Sequence, residues 1–186
     1  EAFLSPSSVD LIRAHSDVIA VDRFVSHSVD YGAWPINLGA GEFDVVLGHG
    51  NLAFKSPANV DEARRRMRAA IGADSVVISE SFSLRFNKQP GDSICLPTPE
   101  GERDFSVAAV YYDYSNNRGT VVMDRSTYVK RFQLSFPEEA KSLAVYLRPE
   151  ADADGVSQAL QGMFPDDQKV FISTQRRIRS EVMRIF

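Results

Sequence analysis

Long apolar runs, multiple cysteines and an excess of positive charge are all absent from this 186-residue chain. No stretch approaches the roughly 20 consecutive apolar residues that a helix needs to cross a bilayer, so no membrane span is expected within it. The single cysteine, Cys95, excludes an internal disulfide. The balance of 21 Lys and Arg against 25 Asp and Glu gives a net charge of −4, which argues against nucleic acid as a partner.

Signatures of catalysis and of cofactor binding are also scarce. The histidines, His15, His27 and His49, are far apart in sequence and lack the spacing of metal ligands. Neither a G-x-S-x-G nucleophile elbow nor a glycine-rich phosphate loop occurs. We therefore expect a domain that is not an enzyme and holds no cofactor or metal.

Apolar periodicity organises the first part of the chain into a helix and strands. Ser5 and Pro6 predict a short first helix. Period-two alternation from Val18 then predicts a long strand with Asp22 on its solvent face and with Ile19, Val21, Val25 and Val29 on its buried face. A turn-rich loop over 31–42 and a returning strand over 43–47 are expected to follow.

The best-marked helix spans 56–72, from Ser56 and Pro57 to Gly72. Its predicted inner stripe consists of Val60, Ala63, Met67 and Ile71. The β-branched segment 75–79 predicts a buried strand after it, and 82–86 a short helix or turn. These elements form a predicted strand-helix-strand crossover.

Turn signals then divide 91–123 into a local antiparallel meander, which a short helix over 124–132 closes. The last third repeats the crossover pattern, with strands over 143–147 and 170–172 around a helix that carries Val156 and Leu160. The sequence therefore predicts an α+β fold, with two crossover units in an α/β lobe over 1–86 and 138–186. A β-rich lobe over 87–137 is inserted between them.

The two ends of the chain suggest a piece of a longer protein. Residues 174–186 follow a helical pattern with no Gly, Asn or Pro to end it, and no initiator Met or targeting segment precedes Glu1. We expect flanking membrane helices and interpret the last helix as a lever that couples them to the domain. Its packing stripe is Ile178, Val182 and Ile185, and its arginines near the membrane surface are Arg176, Arg177 and Arg179.

A candidate recognition loop lies between the first predicted strands. Trp34 is flanked by Gly32 and Pro35, and Tyr31 precedes them. Because an aromatic side chain in a loop either packs back onto the sheet or stays exposed, both placements of Trp34 remain open. Tyr31, Trp34 and Pro35 are the candidate contacts for a ligand.

Five segments carry a resemblance to a known family. They are 75–86 (SVVISESFSLRF), 89–94 (QPGDSI), 105–113 (FSVAAVYYD), 120–127 (TVVMDRST) and 143–148 (LAVYLR). In this order and spacing the chain resembles the extracytoplasmic, MacB-like periplasmic core domain of FtsX-like ABC transporter permeases. One departure is the Ala108-Ala109 pair, where a Val-Gly pair is common in that family.

The resemblance implies a location outside the bacterial cytoplasmic membrane, with tethering helices on both sides. It also implies a cytoplasmic ABC ATPase and a second permease subunit as partners, and an extracytoplasmic protein or lipoprotein as a further one. Two functions stay open: mechanical coupling of ATP hydrolysis to movement or release of a substrate, and a sensor or adaptor-docking module without a transport role. The sequence offers no cluster of acid, base and nucleophile for a hydrolase.

Overall fold

Helices and a single mixed sheet make up the domain. The computed structural model describes residues 4–113, 117–132, 140–164, 172 and 174. The helices are α1 Pro6–Arg13, α2 Phe43–His49, α3 Val60–Ala69, α4 Glu80–Phe86, α5 Arg125–Phe132 and α6 Ala153–Gly162. The strands are β1 Val18–Tyr31, β2 Trp34–Gly41, β3 Phe54–Ser56, β4 Ser75–Ser79, β5 Ser93–Thr98, β6 Gly101–Tyr111, β7 Thr120–Asp124 and β8 Ser142–Leu147. The predicted α+β class is confirmed.

The strands pair in the order β3-β6-β4-β7-β2-β1-β8, and β5 pairs with β6. Neighbours β2 and β7 run parallel, as do β4 and β6, whereas the pairs β1 with β2, β4 with β7 and β5 with β6 are antiparallel. The β5–β6 hairpin confirms half of the predicted meander. The other half is wrong, because β7 lies between β4 and β2 and does not pair with β6.

Strand β4 lies inside the sheet, and all five of its residues are buried. Because side chains alternate along a strand, β4 contributes to one core layer on each face of the sheet. Val76 and Ile78 join the larger cluster, which includes Phe82 of α4 and Tyr128 of α5. Val77 faces the other side of the sheet. There it packs with residues of α2, α3 and β6, namely Phe43, Leu47, Met67, Ala70, Ala108, Ala109 and Tyr111.

A bulge in β6 falls at the position where the sequence departs from its family. Val76 pairs with Val107 and Val77 pairs with Ala109, so Ala108 is the extra residue of the longer strand. An extra residue bends a strand locally and increases its twist. The Ala108-Ala109 pair thus accommodates an irregularity in the ladder without glycine.

The described chain forms two compact units. One contains residues 1–4 and 22–144, and the other contains 5–21 and 145–186. This division differs from the predicted lobes, since 87–137 lies in the same unit and the same sheet as β2 and β4.

The returning strand predicted over 43–47 is wrong, because these residues form α2. Phe43 and Leu47 are one helical turn apart and both are buried, at 1% and 3% exposure. The returning strand is β2 instead, which occupies most of the predicted loop over 31–42. Only Gly32 and Ala33 form the turn between β1 and β2.

Two glycines misled the sequence interpretation of β2. A Cβ on Gly39 would lie 2.6 Å from Phe24 Cζ, and one on Gly41 would lie 3.1 Å from Asp22 Oδ1. The glycines therefore allow side chains of β1 to lie over β2, and they do not mark a turn. This packing also buries Asp22, which the alternation had placed in solvent, whereas Ile19 is exposed.

Helix α3 begins later than predicted, at Val60, because Asn59 supplies the cap and its side chain accepts a hydrogen bond from Glu62 N. Ser56 belongs to β3. The inner stripe consists of Ala63, Met67 and Ala70, while Val60 and Ile71 are exposed. The first helix, the strand over 75–79, the short helix after it and the helices over 124–132 and 153–162 agree with prediction. Of the last predicted strand, 170–171 lies outside the described residues.

Candidate functional site

The β1–β2 hairpin ends in an exposed aromatic residue. Trp34 opens β2 and is 57% exposed. The guanidinium of Arg85, on α4, lies over its ring at 5.5 Å from the ring centre. This distance is typical of a cation–π contact. The structure thus places Trp34 in solvent, which settles the alternative that the sequence left open.

Arg85 is positioned by the backbone as well as by the ring. Its Nη1 donates to Arg118 O at 2.7 Å and its Nη2 donates to Asn117 O at 3.0 Å. The neighbouring residue Leu84 is 69% exposed. We use the name tip patch for Trp34 and Arg85 together with Leu84 and Arg118, which are also exposed and are linked to Arg85 by sequence and by a backbone hydrogen bond, respectively.

The sequence contained a signal for half of this patch. Phe82 and Phe86 are one helical turn apart, and both pack inward against Tyr31, with ring centres at 5.1 and 4.8 Å. Helical periodicity therefore turns Leu84 away from the core. Arg85 is exposed at the edge of the same face as Phe82. The contact of Arg85 with Trp34, which is distant in sequence, has no local signal.

The other two predicted recognition residues, Tyr31 and Pro35, do not share the exposed position of Trp34. The ring of Tyr31 is part of the aromatic cluster with Phe82 and Phe86, and burial raises the pKa of its hydroxyl. Pro35 is exposed and pairs with Asp30, whereas Trp34 pairs with Tyr31. Because side chains alternate along a strand, Pro35 lies on the opposite face of the hairpin from Trp34. Of the three predicted recognition residues, Trp34 is therefore the exposed one on the face of the hairpin that carries Tyr31.

A second polar site surrounds the start of α2. Asp22 is only 7% exposed, and its Oδ1 accepts a hydrogen bond from Glu42 N at 2.6 Å. The carboxylate of Glu42 pairs with Arg23, whose Nη2 lies 2.6 Å from Oε1. On the other side, Asp124 Oδ1 accepts from Phe43 N at 3.2 Å. Two buried carboxylates thus satisfy backbone amides at the first turn of the helix.

Burial raises the pKa of Asp22 to about 6. The hydrogen bond from Glu42 N and the charge of Arg125 act in the opposite direction, while the charges of Glu42 and Asp44 raise the pKa further. Desolvation disfavours the ionised form of a carboxyl more than one amide donor stabilises it here. Among the described carboxyl groups of the unit that contains 22–144, Asp22 is the one with a clearly raised pKa.

A cleft of ≈ 460 Å³ opens beside these carboxylates. The side chains around it carry both signs of charge. Ser126 Oγ donates to the carboxylate of Asp124. A serine nucleophile needs an oriented base such as histidine, and no histidine or cysteine is among the described residues that line the cleft. The lining consists of Arg23, Glu42, Asp44, Ile71, Asp124, Arg125, Ser126 and Val129.

His27 and His15 have structural partners. Nδ1 of His27 lies 3.0 Å from Tyr128 Oη, and burial lowers the pKa of this imidazole. Nδ1 of His15 accepts a hydrogen bond from Asp17 N at 3.2 Å. Within the described part of the chain, no three potential metal ligands form a group that fits an ion.

The predicted coupling residues lie outside the described residues. They are Arg176, Arg177, Ile178, Arg179, Val182 and Ile185. None of the helices in the described ranges has the length and apolarity to cross a bilayer.

Known proteins share this fold. The chain is similar to the periplasmic region of MacB from Actinobacillus actinomycetemcomitans, with a TM-score of 0.58 and 17% identity over 97% of this chain and 83% of that one. It is also similar to the extracellular domain of the noncanonic ABC-type transporter YknZ from Gram-positive bacteria, with a TM-score of 0.58 and 9% identity over 91% and 87% of the two chains. The resemblance to MacB-like periplasmic domains is thereby confirmed at the level of the fold.

A sequence relative points to the same class of protein. The uncharacterized ABC transporter permease protein Rv0987 of Mycobacterium tuberculosis is 27% identical over 117 residues, which cover 62% of this chain. The match spans 13% of the length of that permease. No family model matches the chain. The comparisons thus show a shared fold with the two transporter domains and a partial sequence similarity to a permease.

Proposed function

We propose that this chain is the extracytoplasmic domain of an ABC transporter permease, and that it couples ATP hydrolysis in the cytoplasm to the movement or release of a substrate outside the membrane. The observation that carries the proposal is the MacB-like fold over 97% of the chain. The independent sequence match to a permease supports the same class. The domain itself performs no catalysis and holds no cofactor.

The proposed partners follow from this class. A cytoplasmic ABC ATPase acts through membrane helices that flank the chain, and a second permease subunit, identical or different, completes the transporter. The domain lies on the outer face of the bacterial cytoplasmic membrane and meets an extracytoplasmic protein or lipoprotein there. The net charge of −4 supports the exclusion of nucleic acid as a partner.

Force enters the domain through its last helix in this proposal. A continuous helix transmits a displacement because packed elements switch between discrete arrangements and do not deform gradually. The stripe Ile178, Val182 and Ile185 would pack against the domain, and Arg176, Arg177 and Arg179 would lie near the membrane surface.

The substitution Ser180→Pro in the intact transporter tests the lever. Proline inside a helix removes a hydrogen bond and costs about 3 kcal/mol or more, so it should break the helix between Ile178 and Val182 of the packing stripe. We expect ATP hydrolysis to persist while ATP-dependent export is lost, as measured with reconstituted transporter in vesicles. Ser180→Ala is the matched control and should export normally. Export that survives Ser180→Pro would contradict the lever.

A sensor or adaptor-docking module is the second candidate function, and the exposed tip patch favours it. Under this alternative the domain recruits an accessory protein and does no mechanical work. Ser180→Pro would then leave recruitment of the accessory protein intact and would not separate ATP hydrolysis from export. The same experiment therefore distinguishes the two functions.

A further inference from the structure

We propose that the outer face of α3 lies on the surface of an anionic bilayer, where Arg65 and Arg68 bind the phosphates of lipid headgroups. The inference rests on the proposed function, because that function tethers the domain to a membrane through flanking helices. It concerns a surface that no relative's description assigns. We call this surface the α3 arginine face and define it as Arg64, Arg65, Arg66 and Arg68.

The packing of α3 turns these arginines outward. Ala63, Met67 and Ala70 are buried and form the inner stripe of the helix. Arg65 and Arg68 are both exposed, and they lie three positions apart, so they are neighbours on one side of the helix. The helix therefore presents two guanidinium groups on the side away from the core.

Most of this positive charge is not neutralised inside the domain. Arg66 pairs with Glu62, whose Oε1 lies 2.7 Å from its Nη2. Arg64 donates to a backbone carbonyl of α2, so it keeps its net charge. Neither the Arg65 nor the Arg68 guanidinium forms a hydrogen bond or an ion pair with another described residue. Three of the four arginines thus retain a charge that a partner can use.

The charge of α3 is opposite in sign to that of the whole chain. The helix holds four arginines against Asp61 and Glu62, whereas the chain has a net charge of −4. At physiological ionic strength electrostatic interactions are screened over about 8 Å, so distant carboxylates contribute little at this face. An anionic surface that approaches α3 therefore meets a positive potential.

A lipid surface fits these observations better than a folded protein does. Helices with about four to eight clustered Lys and Arg are typical of segments that bind anionic lipids. A guanidinium also forms two parallel hydrogen bonds with a phosphate group. The exposed large apolar residues Val60 and Ile71 lie at the two ends of the helix. Its charged middle thus lacks the apolar centre that is typical of a protein interface.

The tether makes a modest affinity sufficient for contact. Each arginine near an anionic surface changes binding about fivefold. A domain that is linked to the bilayer also meets it at an effective concentration on the order of millimolar. The contact therefore needs fewer charges than recruitment from solution would need, and its test has to keep the tether.

The test uses the intact transporter in nanodiscs of phosphatidylglycerol or of phosphatidylcholine. A nitroxide label is attached through Ala69→Cys, at an exposed position one turn after Arg65, in a background that carries Cys95→Ser and no other cysteine. We expect more label collisions with oxygen, which dissolves in the bilayer, and fewer with a water-soluble nickel chelate in phosphatidylglycerol than in phosphatidylcholine. Salt at about 1 M should abolish this difference, because it shortens the Debye length to about 3 Å.

Matched double variants locate the contact. Arg65→Gln with Arg68→Gln should lower the ratio of lipid-bound to free domain about 25-fold and so remove the difference between the two lipids. Arg13→Gln with Lys130→Gln removes the same charge from exposed positions on α1 and α5 and should keep the difference. Circular dichroism of the isolated 186-residue chain checks that both double variants are folded.

Three outcomes would overturn the inference. Equal collision rates in the two lipids remove the role of the anionic headgroup, and equal losses in the two double variants remove the role of α3. A label that is shielded from both reagents in both lipids assigns the face to a neighbouring protein. Loss of export in Ser180→Pro without any lipid contact of α3 would support the lever and contradict this inference alone.

Discussion

Asp22 is the residue whose burial has the clearest consequence for stability. Its pKa of about 6 in the folded chain lies above the ordinary 3.8. Between these values the folded state binds more protons than the unfolded state, so the free energy of unfolding falls as pH rises from about 3.8 to 6. The full effect is on the order of 3 kcal/mol, and it destabilises the domain at neutral pH.

The substitution Asp22→Asn should therefore flatten the pH dependence of stability. The amide oxygen still accepts from Glu42 N, but no ionisation occurs, so the variant should gain stability over the parent as pH rises from 4 to 7. Urea unfolding at a series of pH values measures the difference. Asp30→Asn, which removes an exposed carboxylate from the same strand, should follow the parent. Parallel curves for Asp22→Asn and the parent would contradict the raised pKa.

Gly39 provides a second test at the scale of one residue. Gly39→Ala places a methyl carbon 2.6 Å from Phe24 Cζ. We expect a loss of about 1–3 kcal/mol in the free energy of unfolding, as is usual for overpacking. The loss should shrink in a Phe24→Leu background, because leucine lacks the clashing atom.

Gly48→Ala is the control for this prediction. Gly48 lies in α2, and no atom lies within 4 Å of its Cβ position. Alanine there should be neutral or stabilise the helix by about 0.5–1 kcal/mol. A similar loss at both glycines would show that the packing of Phe24 is not the cause.

Among the elements, α3 shows how a local cap sets a boundary. Asn59 Oδ1 accepts from Glu62 N at 2.9 Å. Asn59→Ala leaves this amide without its acceptor and should cost about 1 kcal/mol of stability, measured by urea unfolding. Asn59→Ser keeps a capping oxygen and should lose much less, and Asn51→Ala, at an exposed asparagine, should lose nothing. An equal loss in Asn59→Ser would argue against the cap.

Elements with strong local signals were predictable from the sequence. Ser5 and Pro6 mark α1 correctly, and β4 follows from its β-branched run. The errors have a common physical origin in tertiary contacts. Segment 43–47 reads as a strand locally, but buried packing of Phe43 and the hydrogen bond from its amide to Asp124 fix a helix.

The candidate site also depends on tertiary contacts that a local sequence pattern does not predict. The exposed position of Trp34 in a turn-flanked segment was one of two options that the sequence allowed. Its contact with Arg85 depends on the pairing of β2 with β7 and on the packing of α4 against the sheet, and no local pattern encodes either. Strand order beyond the β5–β6 hairpin was not predictable for this reason, because β7 inserts between strands far from it in sequence.

At the scale of the whole molecule, the fold resembles MacB-like periplasmic domains, and part of the sequence resembles an ABC transporter permease. The chain leaves its second unit within β1 and returns to it within β8, since two of the divisions fall after residues 21 and 144. The lever substitution Ser180→Pro belongs to this scale, because its expected effect is on export and not on the stability of one element.

The outer side of β6 has a consequence for the tendency of the domain to aggregate. Strand β5 covers β6 over 101–106, the turn at Gly91 and Asp92 bonds Val107, and β3 covers the end of the strand. The covering strands are poor templates themselves, since β3 has three residues and β5 contains Pro97, which has no amide proton. Separate copies of the domain would thus find no long ladder to extend on this flank, and intermolecular strand pairing into aggregates is disfavoured there.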